Sequence, residues 1–421
     1  MRPVLTPKQM RVLDTEATTA GTPIEILIGR AGAAVARAAK RMMGGLYGRT
    51  VVVITGKGNN GADGRVTARL LADQGVRVHV IDAEHMPLRL PVSDLIIDAA
   101  FGTGFRGDWS PPATKGVPVL AVDIPSGIDG LTGLAAPDTW QATRTVTFVA
   151  LKPGLLLGAG RALCGEVELV DIGINLGMGN VDINEVERSD VSQWVPQRPF
   201  DSHKWKAALY AVAGSSGMMG AANLCSASAM RAGAGIVHVA SPGIVSDRST
   251  STEIVRRALP ALGWSHEVLD DLSRFKAIVI GPGLGRDEGT VSEARRIIAG
   301  AHIPMVIDGD GLFAVAWGGE GARDIVRSRA AGTVLTPHDG EYTTLLGYAP
   351  SHDRITSARR LASDTNCVCL LKGTTTVVAE PSGEVLMVAN GDQRLATAGT
   401  GDVLAGIIGA LLAQGVEPFH A

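Results

Sequence analysis

The sequence predicts an α/β protein of two domains, and three observations lead to that prediction. The chain has 421 residues, whereas a domain averages about 150 residues. Short and nearly continuous apolar segments alternate with helical stretches, which is typical of parallel sheets covered on both faces. The alternation occurs twice, first between Thr50 and Ile174 and again from Ala208 onward. Each series is therefore expected to form its own sheet.

A polar segment separates the two series. Residues 175–200 show weak periodicity and contain two prolines near their end, which is typical of a connection between domains. We therefore expect one domain over residues 1–200, ending in this linker, and a second over residues 201–421.

Composition and charge exclude several classes of protein. Lys and Arg total 39 against 42 Asp and Glu, a net charge of −3, and aromatic residues are only 4%. Neither nucleic-acid binding nor base stacking is favoured by this charge balance and low aromatic content.

The four cysteines form no CxxC pair, so neither zinc nor a disulfide framework is expected. The N-terminal residues contain no apolar signal-peptide core, and the longest uncharged stretch (207–230) is interrupted by glycines and serines. We expect a cytoplasmic protein without a membrane span.

Two helices are expected to open the chain. Thr6, Pro7 and Gln9 match a capping box with proline in the first turn, and we expect Thr22 to cap the second helix in the same way. Gly44-Gly45 should end this second helix. The buried strands that follow are expected in the segments VVVITG, VRVHVID, DLIIDAAFG, VPVLAVDIPSG, RTVTFVA and EVELVDIG, then ALYAVAG, GIVHVA, AIVIGPGLG, PMVIDGDG, TVLTPHDGE and CVCLLKGTTTVVAE.

The first strand is followed by a glycine loop. GKGNNGADG (56–64) lies between a strand and a helix and contains GxGxxG, a pattern that places a phosphate at a helix N-terminus. Asp82 ends the next strand, near the position of a ribose-binding carboxylate. The loop taken alone therefore also fits an NAD-dependent oxidoreductase.

Two further loops follow neighbouring strands. Asp98 precedes a loop over residues 101–107, and Asp123 precedes a loop over residues 124–129. Because the carboxyl ends of parallel strands meet at one edge of a sheet, we expect all three loops to face one crevice. The two carboxylates, the amides of Asn59 and Asn60 and the Ser126 hydroxyl form an oxygen-rich set suited to K⁺ or Mg²⁺.

A different arrangement stands near the end of the chain. AGTGD (398–402) precedes an apolar helical stretch. Small residues let backbone N–H groups converge on a developing phosphate charge, and the adjacent carboxylate can accept a hydroxyl proton. We therefore expect phosphoryl transfer here, with Asp402 as the base.

GKGNNGADG, DAAFGTGFRG and VDIPSGIDG, in this order, resemble the NAD(P)H-hydrate epimerase family over the first half of the chain. That resemblance implies a Rossmann-like three-layer αβα sandwich, interconversion of the R and S hydrates at C6 of the nicotinamide ring, and use of K⁺. It makes Asp123 a catalytic residue that contacts the substrate and gives K⁺ the ligands Asn60, Asp98 and Ser126. The substrate-binding residues that it implies are Asn59, Asn60, Gly61, Ala62, Asp63, Gly102, Thr103, Gly104, Phe105, Arg106, Gly107 and Asp108.

The second half, from about His203, resembles the ribokinase-like ADP/ATP-dependent NAD(P)H-hydrate dehydratases. AGTGD carries this resemblance together with GSSG (214–217), GPGLG (281–285), TPHDGE (336–341) and LKGTTT (371–376). It implies that ADP or ATP with Mg²⁺ phosphorylates the hydrate, whose phosphate then leaves. The residues implied to contact the hydrate are Ala221, Gly285, His338 and Asp402, and those implied to hold the nucleotide are Lys372, Gly373, Thr374, Thr375, Thr376 and Gly401.

Some positions depart from these families. Ala62 stands where the epimerases usually have glycine, and Asp339 stands where the dehydratases commonly have proline. Lys152 matches a position that is basic in the epimerase family. The alternative is that it is a solvated charge after a strand, without a role in the site. Members of the dehydratase family usually continue for some tens of residues beyond the helix that follows AGTGD, whereas this sequence stops at Ala421. A naturally short second domain and a truncated chain are therefore two alternatives.

The resemblance makes a bifunctional cofactor-repair enzyme the leading hypothesis. Its substrates would be hydrated NADH and NADPH with ADP or ATP, and we expect a homo-oligomer. One alternative is an NAD-dependent oxidoreductase fused to a ribokinase-type small-molecule kinase. The other is a non-catalytic binding protein on the same folds.

Overall fold

The computed structural model describes residues 1–177, 181–244, 253–319 and 321–421. It contains two compact units, Arg2–Glu185 and Val186–Ala421, with Met1 grouped with the second. Both units are α/β, which confirms the predicted fold class. Where the two activities divide along the chain stays a prediction.

The first unit alternates strands and helices around one parallel sheet. Its strand order is β3-β2-β4-β5-β6-β7, and every neighbouring pair is parallel. A short antiparallel pair joins β1 to β8. The bounds are β1 Arg2–Pro3, α1 Pro7–Thr19, α2 Ile24–Met43, β2 Thr50–Thr55, α3 Asn59–Asp73, β3 Arg77–Asp82, β4 Leu95–Ala99, β5 Val119–Val122, β6 Arg144–Phe148, α4 Pro153–Leu156, α5 Gly158–Leu163, β7 Glu166–Val170 and β8 Ile183–Glu185.

The helix signals in the sequence are confirmed at two of three places. Thr6 caps α1 in a capping box with Gln9, and Gly44 ends α2 in the left-handed conformation with φ of 66°. The prediction for Thr22 is wrong, because Pro23 is the N-cap residue of α2 and no side chain caps this helix. Pro23 has the extended ψ of 140°, so the helix begins one residue later, at Ile24.

The sheet of the first unit is buried at its centre and exposed at one edge. Strands β2, β4 and β5 are almost entirely buried. One face packs against α2 and α3, and the other packs against Trp109 and Trp140. Strand β3 was expected to be buried, yet most of its residues are exposed. It lies at the edge of the sheet, where helices cover it less completely.

The second unit contains a longer sheet in the order β17-β16-β15-β14-β13-β12-β9-β10-β11. Its pairs are parallel except β15 with β16 and β16 with β17, which are antiparallel. The segment CVCLLKGTTTVVAE is thus two strands joined by a turn. The bounds are α6 Arg188–Trp194, β9 Ala208–Val212, α7 Met219–Arg231, β10 Ile236–Pro242, β11 Val255–Leu259, α8 Ser265–Asp271, β12 Ala277–Ile280, α9 Glu288–Gly300, β13 Met305–Ile307, α10 Asp310–Ala316, α11 Asp324–Arg327, β14 Thr333–Leu335, α12 Asp339–Leu346, α13 Arg354–Thr365, β15 Val368–Leu371, β16 Thr376–Ala379, β17 Val385–Val388 and α14 Thr400–Ala413.

The polar segment 175–200, which was expected to connect the two domains, contains regular structure. It includes β8 and α6, which begins at Arg188. The two units divide between Glu185 and Val186, so most of this segment belongs to the second unit. Residues 178–180 of the segment lie outside the described part of the chain.

Two glycines let α14 approach its neighbours closely. A Cβ added at Gly406 would lie 2.0 Å from the Cys225 carbonyl oxygen of α7, and one at Gly409 would lie 2.4 Å from Val279 Cγ2 of β12. Any side chain at either position would therefore push α14 away from the sheet. This close packing fixes the N-terminal end of α14, where AGTGD lies.

The remaining chain-wide predictions concern cysteines and membranes. All four cysteines are buried and free, and burial raises the pKa of the Cys164 thiol to about 11. Stretch 207–230, the longest uncharged one, forms β9, a loop and α7. Within the described residues, the helices are all too short or too polar to cross a membrane.

Candidate functional sites

The glycine loop of the first unit is packed against the loop that follows β4. A Cβ at Gly56 would lie 1.9 Å from the Ala100 carbonyl oxygen, and one at Gly61 would lie 1.9 Å from the Gly56 carbonyl oxygen. These approaches exclude any side chain. Helix α3 then begins at Asn59, directly after the loop, so the two asparagines occupy its first turn.

A cavity of about 590 Å³ lies beside these loops. The predicted residues that line it are Asn59, Asn60, Asp63, Gly102, Thr103, Gly104, Phe105, Arg106 and Asp123. Among the residues described by the structure, the lining does not include Gly61 and Ala62, inside α3, nor the exposed Gly107 and Asp108. The expected crevice is present, and most of the predicted substrate residues face it.

Asp123 is held in one orientation by a buried lysine. Lys152 Nζ donates to Asp123 Oδ1 at 2.5 Å and to Thr147 Oγ1 at 2.9 Å, and Thr147 Oγ1 donates to the same carboxylate oxygen at 3.1 Å. Lys152 is only 1% exposed. Asp123 also has a φ of 66°, which is uncommon outside glycine. The solvated alternative for Lys152 is therefore wrong, and the lysine belongs to the cavity.

Two more carboxyl groups line the same cavity. Asp63 of α3 is buried, and its burial together with the nearby charges of Asp123 and Asp14 raises its pKa to about 8. Asp14 of α1 is half-buried, and burial followed by the charge of Asp123 raises its pKa as well. Sequence reasoning missed Asp14. Its signal was the helical spacing from Met10, a buried residue one turn earlier on α1.

The predicted cation ligands are buried, but only Asn60 lines the cavity. Ser126 Oγ donates to Asp98 Oδ1 at 2.5 Å, and the Ser126 amide donates to Asp98 Oδ2 at 2.8 Å. Burial raises the pKa of Asp98 despite these bonds. Asn60 is 9% exposed, and neither its Oδ1 nor its Nδ2 has a hydrogen-bond partner. A buried polar group without a partner costs free energy, so oxygen donors of this kind fit a hard cation such as K⁺.

Asp82, the possible ribose ligand, has a local structural role. Its carboxylate accepts from the Glu84 amide at 2.8 Å and caps a short 3₁₀ turn. The residues that reach the cavity from this region are instead Ala83 and Glu84. This placement removes one argument for the oxidoreductase alternative.

In the second unit, Lys372 lies at the N-terminus of α14. Its Nζ donates to Asp308 Oδ1 at 2.6 Å, and the same oxygen accepts from Thr336 Oγ1 at 2.7 Å. A Cβ at Gly401 would lie 3.4 Å from Lys372 Nζ. Burial, then the charges of Asp308 and Asp310, raise the pKa of Asp402 against the opposing charge of Lys372. The structure thus brings Lys372, Gly401 and Asp402 together.

Glu341 connects His338 to the cluster of Lys372, Gly401 and Asp402. His338 is the N-cap residue of α12, where its Nδ1 accepts from the amides of Gly340 and Glu341, and Glu341 Oε2 accepts from the His338 amide. Glu341 Oε2 is also 3.8 Å from Lys372 Nζ. Beside His338, Asp339 accepts from Arg354, and Arg354 donates to the Lys372 carbonyl oxygen at 2.6 Å. Arg354 therefore links the His338 turn to the predicted nucleotide loop.

The other predicted residues of this site lie on neighbouring loops. A Cβ at Gly283 would lie 2.9 Å from the Ala221 side chain. The Gly285 amide donates to Asp310 Oδ2 at 2.9 Å, and Asp310 is two residues beyond Asp308. Gly373, Thr374 and Thr375 lie in the turn between β15 and β16, Thr376 is the first residue of β16, and Thr375 is buried. Sequence reasoning missed Asp308 and Asp310, whose signal was their position after the strand PMVID.

Both units carry polar loops at the carboxyl ends of parallel strands, an arrangement typical of α/β enzymes that bind nucleotides and other small molecules. Family models match both. Residues 209–421 match "NAD(P)H-hydrate dehydratase", and residues 24–91 and 81–154 match "YjeF-related protein N-terminus".

Curated relatives match nearly the whole chain. A Mycobacterium tuberculosis protein named bifunctional NAD(P)H-hydrate repair enzyme Nnr is 36% identical over 405 residues, which cover 90% of this chain and 81% of the relative. Proteins of the same name from Moorella thermoacetica and Escherichia coli are 34% and 32% identical, covering 94% and 88% of this chain and 85% and 77% of those proteins. The chain belongs to the family of bifunctional NAD(P)H-hydrate repair enzymes.

Solved structures also resemble part of the chain. A Bacillus subtilis ADP/ATP-dependent NAD(P)H-hydrate dehydratase, co-crystallised with ATP/Mg²⁺, is 28% identical and covers 56% of this chain and 82% of its own, with a TM-score of 0.46. A ribokinase-like superfamily protein from Enterococcus faecalis is 23% identical, covering 57% of this chain and 82% of its own, with a TM-score of 0.48.

Proposed function

We propose that this chain repairs hydrated nicotinamide nucleotides through two activities. The first unit epimerises the R and S hydrates of NADH and NADPH, and the second dehydrates the S form at the expense of ADP or ATP. One observation carries the proposal: two family models match in order along a chain that is 36% identical to a bifunctional repair enzyme over 90% of its length. The oxidoreductase and binding-protein alternatives are not favoured, because the matched models and relatives are hydrate-repair proteins.

The cavity of the first unit would hold the hydrated nicotinamide ring. Its size and its mixed polar lining support a ligand of this kind. Asp123 would contact the substrate, held by Lys152 and Thr147. Two non-glycine residues with positive φ, Asp123 and Val149, line the same cavity. Such conformations cluster at functional sites, which supports the assignment.

K⁺ would bind close to this cavity. The buried Asp98 carboxylate, the Ser126 hydroxyl and the unpartnered Asn60 amide supply the oxygen donors that K⁺ prefers. Bound there, K⁺ would supply a compact positive charge for the buried carboxylate. Asn60 would at the same time gain a partner for its side-chain oxygen.

In the second unit, Asp402 would take the proton of the hydrate hydroxyl, whose oxygen then attacks the terminal phosphorus of ADP or ATP. The bond between the terminal phosphorus and the bridging oxygen of the nucleotide breaks. The phosphate group then leaves C6 while C5 loses a proton, which restores the reduced nicotinamide. Lys372, Gly401 and residues 373–376 would hold the nucleotide. Mg²⁺ would arrive with the nucleotide, as it did in the B. subtilis co-crystals.

We further propose that the protein works as a homo-oligomer in the cytoplasm. Four free and buried thiols support a reducing compartment. Sedimentation of the purified protein tests the oligomeric state. A monomer at all concentrations would contradict it.

The deciding experiment supplies the protein with enzymatically hydrated NADH. The near-ultraviolet absorbance of NADH is followed with and without ADP or ATP, while chromatography follows the R and S hydrates. We expect NADH to return only when nucleotide is present and the R form to be consumed along with the S form. Interconversion of R and S without nucleotide would assign the epimerase separately. If neither change occurs, the proposed function is wrong.

A further inference from the structure

The cavity of the first unit contains carboxyl groups in two different environments. Asp123 lies against the buried ammonium group of Lys152, with 2.5 Å between Nζ and Oδ1. Asp63 is 7% exposed and lines the same cavity, and within the described part of the chain it forms no ion pair. Two carboxyl groups in such different surroundings are suited to different roles in proton transfer.

The surroundings of Asp63 favour its neutral form. The charged groups that face it are Asp14 of α1, Asp123 after β5, and Lys152 before α4, and the two aspartates outweigh the lysine. Burial adds the largest effect, and its pKa of about 8 keeps a proton on Asp63 at neutral pH. The other ionisable side chains of the lining are Arg11, Lys57, Glu84 and Arg106.

A second observation indicates that a polar ligand enters beside Asp63. Asn60 lies one turn earlier on α3, is nine-tenths buried, and lines the cavity with both amide atoms unpartnered. An amide in this condition costs free energy until a ligand or an ion pairs with it. The first turns of α3 therefore present an unsatisfied amide and a carboxyl group to the same space.

We propose that Asp63 is the catalytic acid of the first unit, lending a proton to the departing C6 oxygen of the hydrate, and that Asp14 is a positioning residue that maintains a negative charge beside it. This inference rests on the proposed epimerase activity and deepens it. Asp123, paired with Lys152, then orients the substrate. Neither this acid role nor Asp14 was part of the predicted site.

The proposed step conserves atoms and electrons. Asp63 donates its proton to the C6 hydroxyl, and the C6–O bond breaks with its electron pair leaving on water. The lone pair of the ring nitrogen forms the N1=C6 double bond. Water then adds to the opposite face of C6, the double-bond pair returns to nitrogen, and the added water releases its proton to solvent water, from which the Asp63 carboxylate regains a proton. No oxidant, reductant or further reactant is needed.

The experiment measures R and S interconversion by chromatography between pH 5.5 and 9.5, at saturating K⁺ and against a protein-free blank. We compare the parent protein with Asp63→Asn, Asp14→Asn and the control Asp73→Asn, which changes an exposed aspartate of the same helix. Asp63→Asn should lower the rate about 10²- to 10⁴-fold, the usual contribution of a positioned acid, while calorimetry shows unchanged affinity for the hydrate. Asp73→Asn should behave like the parent.

The pH profile separates an acid from a residue that only shapes the cavity. The parent should lose activity as pH rises through about 8, and Asp14→Asn should move this loss to lower pH because a neighbouring negative charge is gone. A parent-like rate in Asp63→Asn, or an unmoved alkaline limb in Asp14→Asn, overturns the inference while the epimerase proposal stands. If the parent protein interconverts nothing at any pH, the epimerase proposal itself fails.

Dehydratase activity in the same preparations serves as the folding control. It should remain unchanged in Asp63→Asn and Asp14→Asn, because the two candidate sites lie in separate units of the chain. If both activities fall together in Asp63→Asn and hydrogen exchange shows that β2 and β4 have lost protection, a structural role replaces the catalytic one.

Discussion

Lys152 and Asp123 form an ion pair in which the ammonium group is 1% exposed and the carboxylate is partly open to the cavity. The carboxylate therefore faces the substrate space, whereas the lysine is enclosed by protein. Removing either partner leaves the other in poorly solvated surroundings.

We predict that Lys152→Met destabilises the first unit by about 3–5 kcal/mol, the usual cost of leaving one member of a buried pair alone. Hydrogen exchange on the amides of β2 and β4 measures this change. Adding Asp123→Asn to the same chain should recover part of the loss, since no unpaired charge remains. The control Lys57→Met removes an exposed lysine paired with Glu84, and protection should then stay as in the parent. Equal losses in both variants would contradict the role of burial.

Asp123→Asn alone should abolish epimerisation while the first unit stays folded, although the loss of the Lys152 partner should lower hydrogen-exchange protection of the unit. The amide keeps the shape of the side chain but loses its charge and basicity, so the substrate is no longer oriented or assisted. Chromatography of the two hydrates and hydrogen exchange are measured on the same sample. Interconversion at the parent rate would return Asp123 to a structural role.

Asp98→Ala should weaken epimerisation in a way that added K⁺ partly restores. One anionic ligand is lost, while the Ser126 and Asn60 oxygens remain. The measurement titrates KCl against the rate, with choline chloride at equal ionic strength as the control. A parent protein whose rate does not depend on K⁺ would refute the cation site.

For the second unit, Asp402→Asn should lower dehydration about 10²- to 10⁴-fold, as expected for a positioned base. Nucleotide affinity, measured by calorimetry, should change little because Lys372 and residues 373–376 remain. Epimerase activity should stay at the parent level. If nucleotide binding disappears together with dehydration, Asp402 shapes the phosphate site and is not the base.

Lys372→Met should change the pH dependence of dehydration as well as nucleotide binding. The lysine lowers the pKa of Asp402, so its removal should raise that pKa and move the acid limb of the rate profile to higher pH. Nucleotide affinity should fall because one positive charge is lost. Lys206→Met removes an exposed lysine of the same unit and should leave both quantities unchanged. An unmoved acid limb would mean that Asp402 does not govern the rate.

The polar loops could be predicted from the sequence because glycines and carboxylates directly follow strands in one chain order. That order placed Asn60, Asp63 and Asp123 at one cavity without knowledge of any long-range contact. Asp14 could not be found this way, because only the packing of α1 shows that its side chain reaches the cavity. Lys152 was singled out only by its match to a basic family position, since a lysine after a strand is normally solvated.

Contacts between side chains far apart in the chain likewise could not be predicted from the sequence. Asp308 and Lys372 are 64 residues apart and meet only because β13, β14 and β15 are neighbours in the sheet. The expected burial of β3 was wrong for a related reason. The apolar composition of a strand segment does not indicate whether the strand lies at the centre or at the edge of its sheet.

Two backbone amides donate hydrogen bonds to the His338 side chain and thereby fix the tautomer of its neutral imidazole ring. Nδ1 accepts from both Gly340 and Glu341, so in the neutral ring the hydrogen resides on Nε2. The ring is 60% exposed, and its Nε2 lies 3.6 Å from Glu341 Oε2, so this edge of the neutral ring is a hydrogen-bond donor. A molecule that pairs with His338 has to offer an acceptor, such as a carbonyl, hydroxyl or phosphate oxygen.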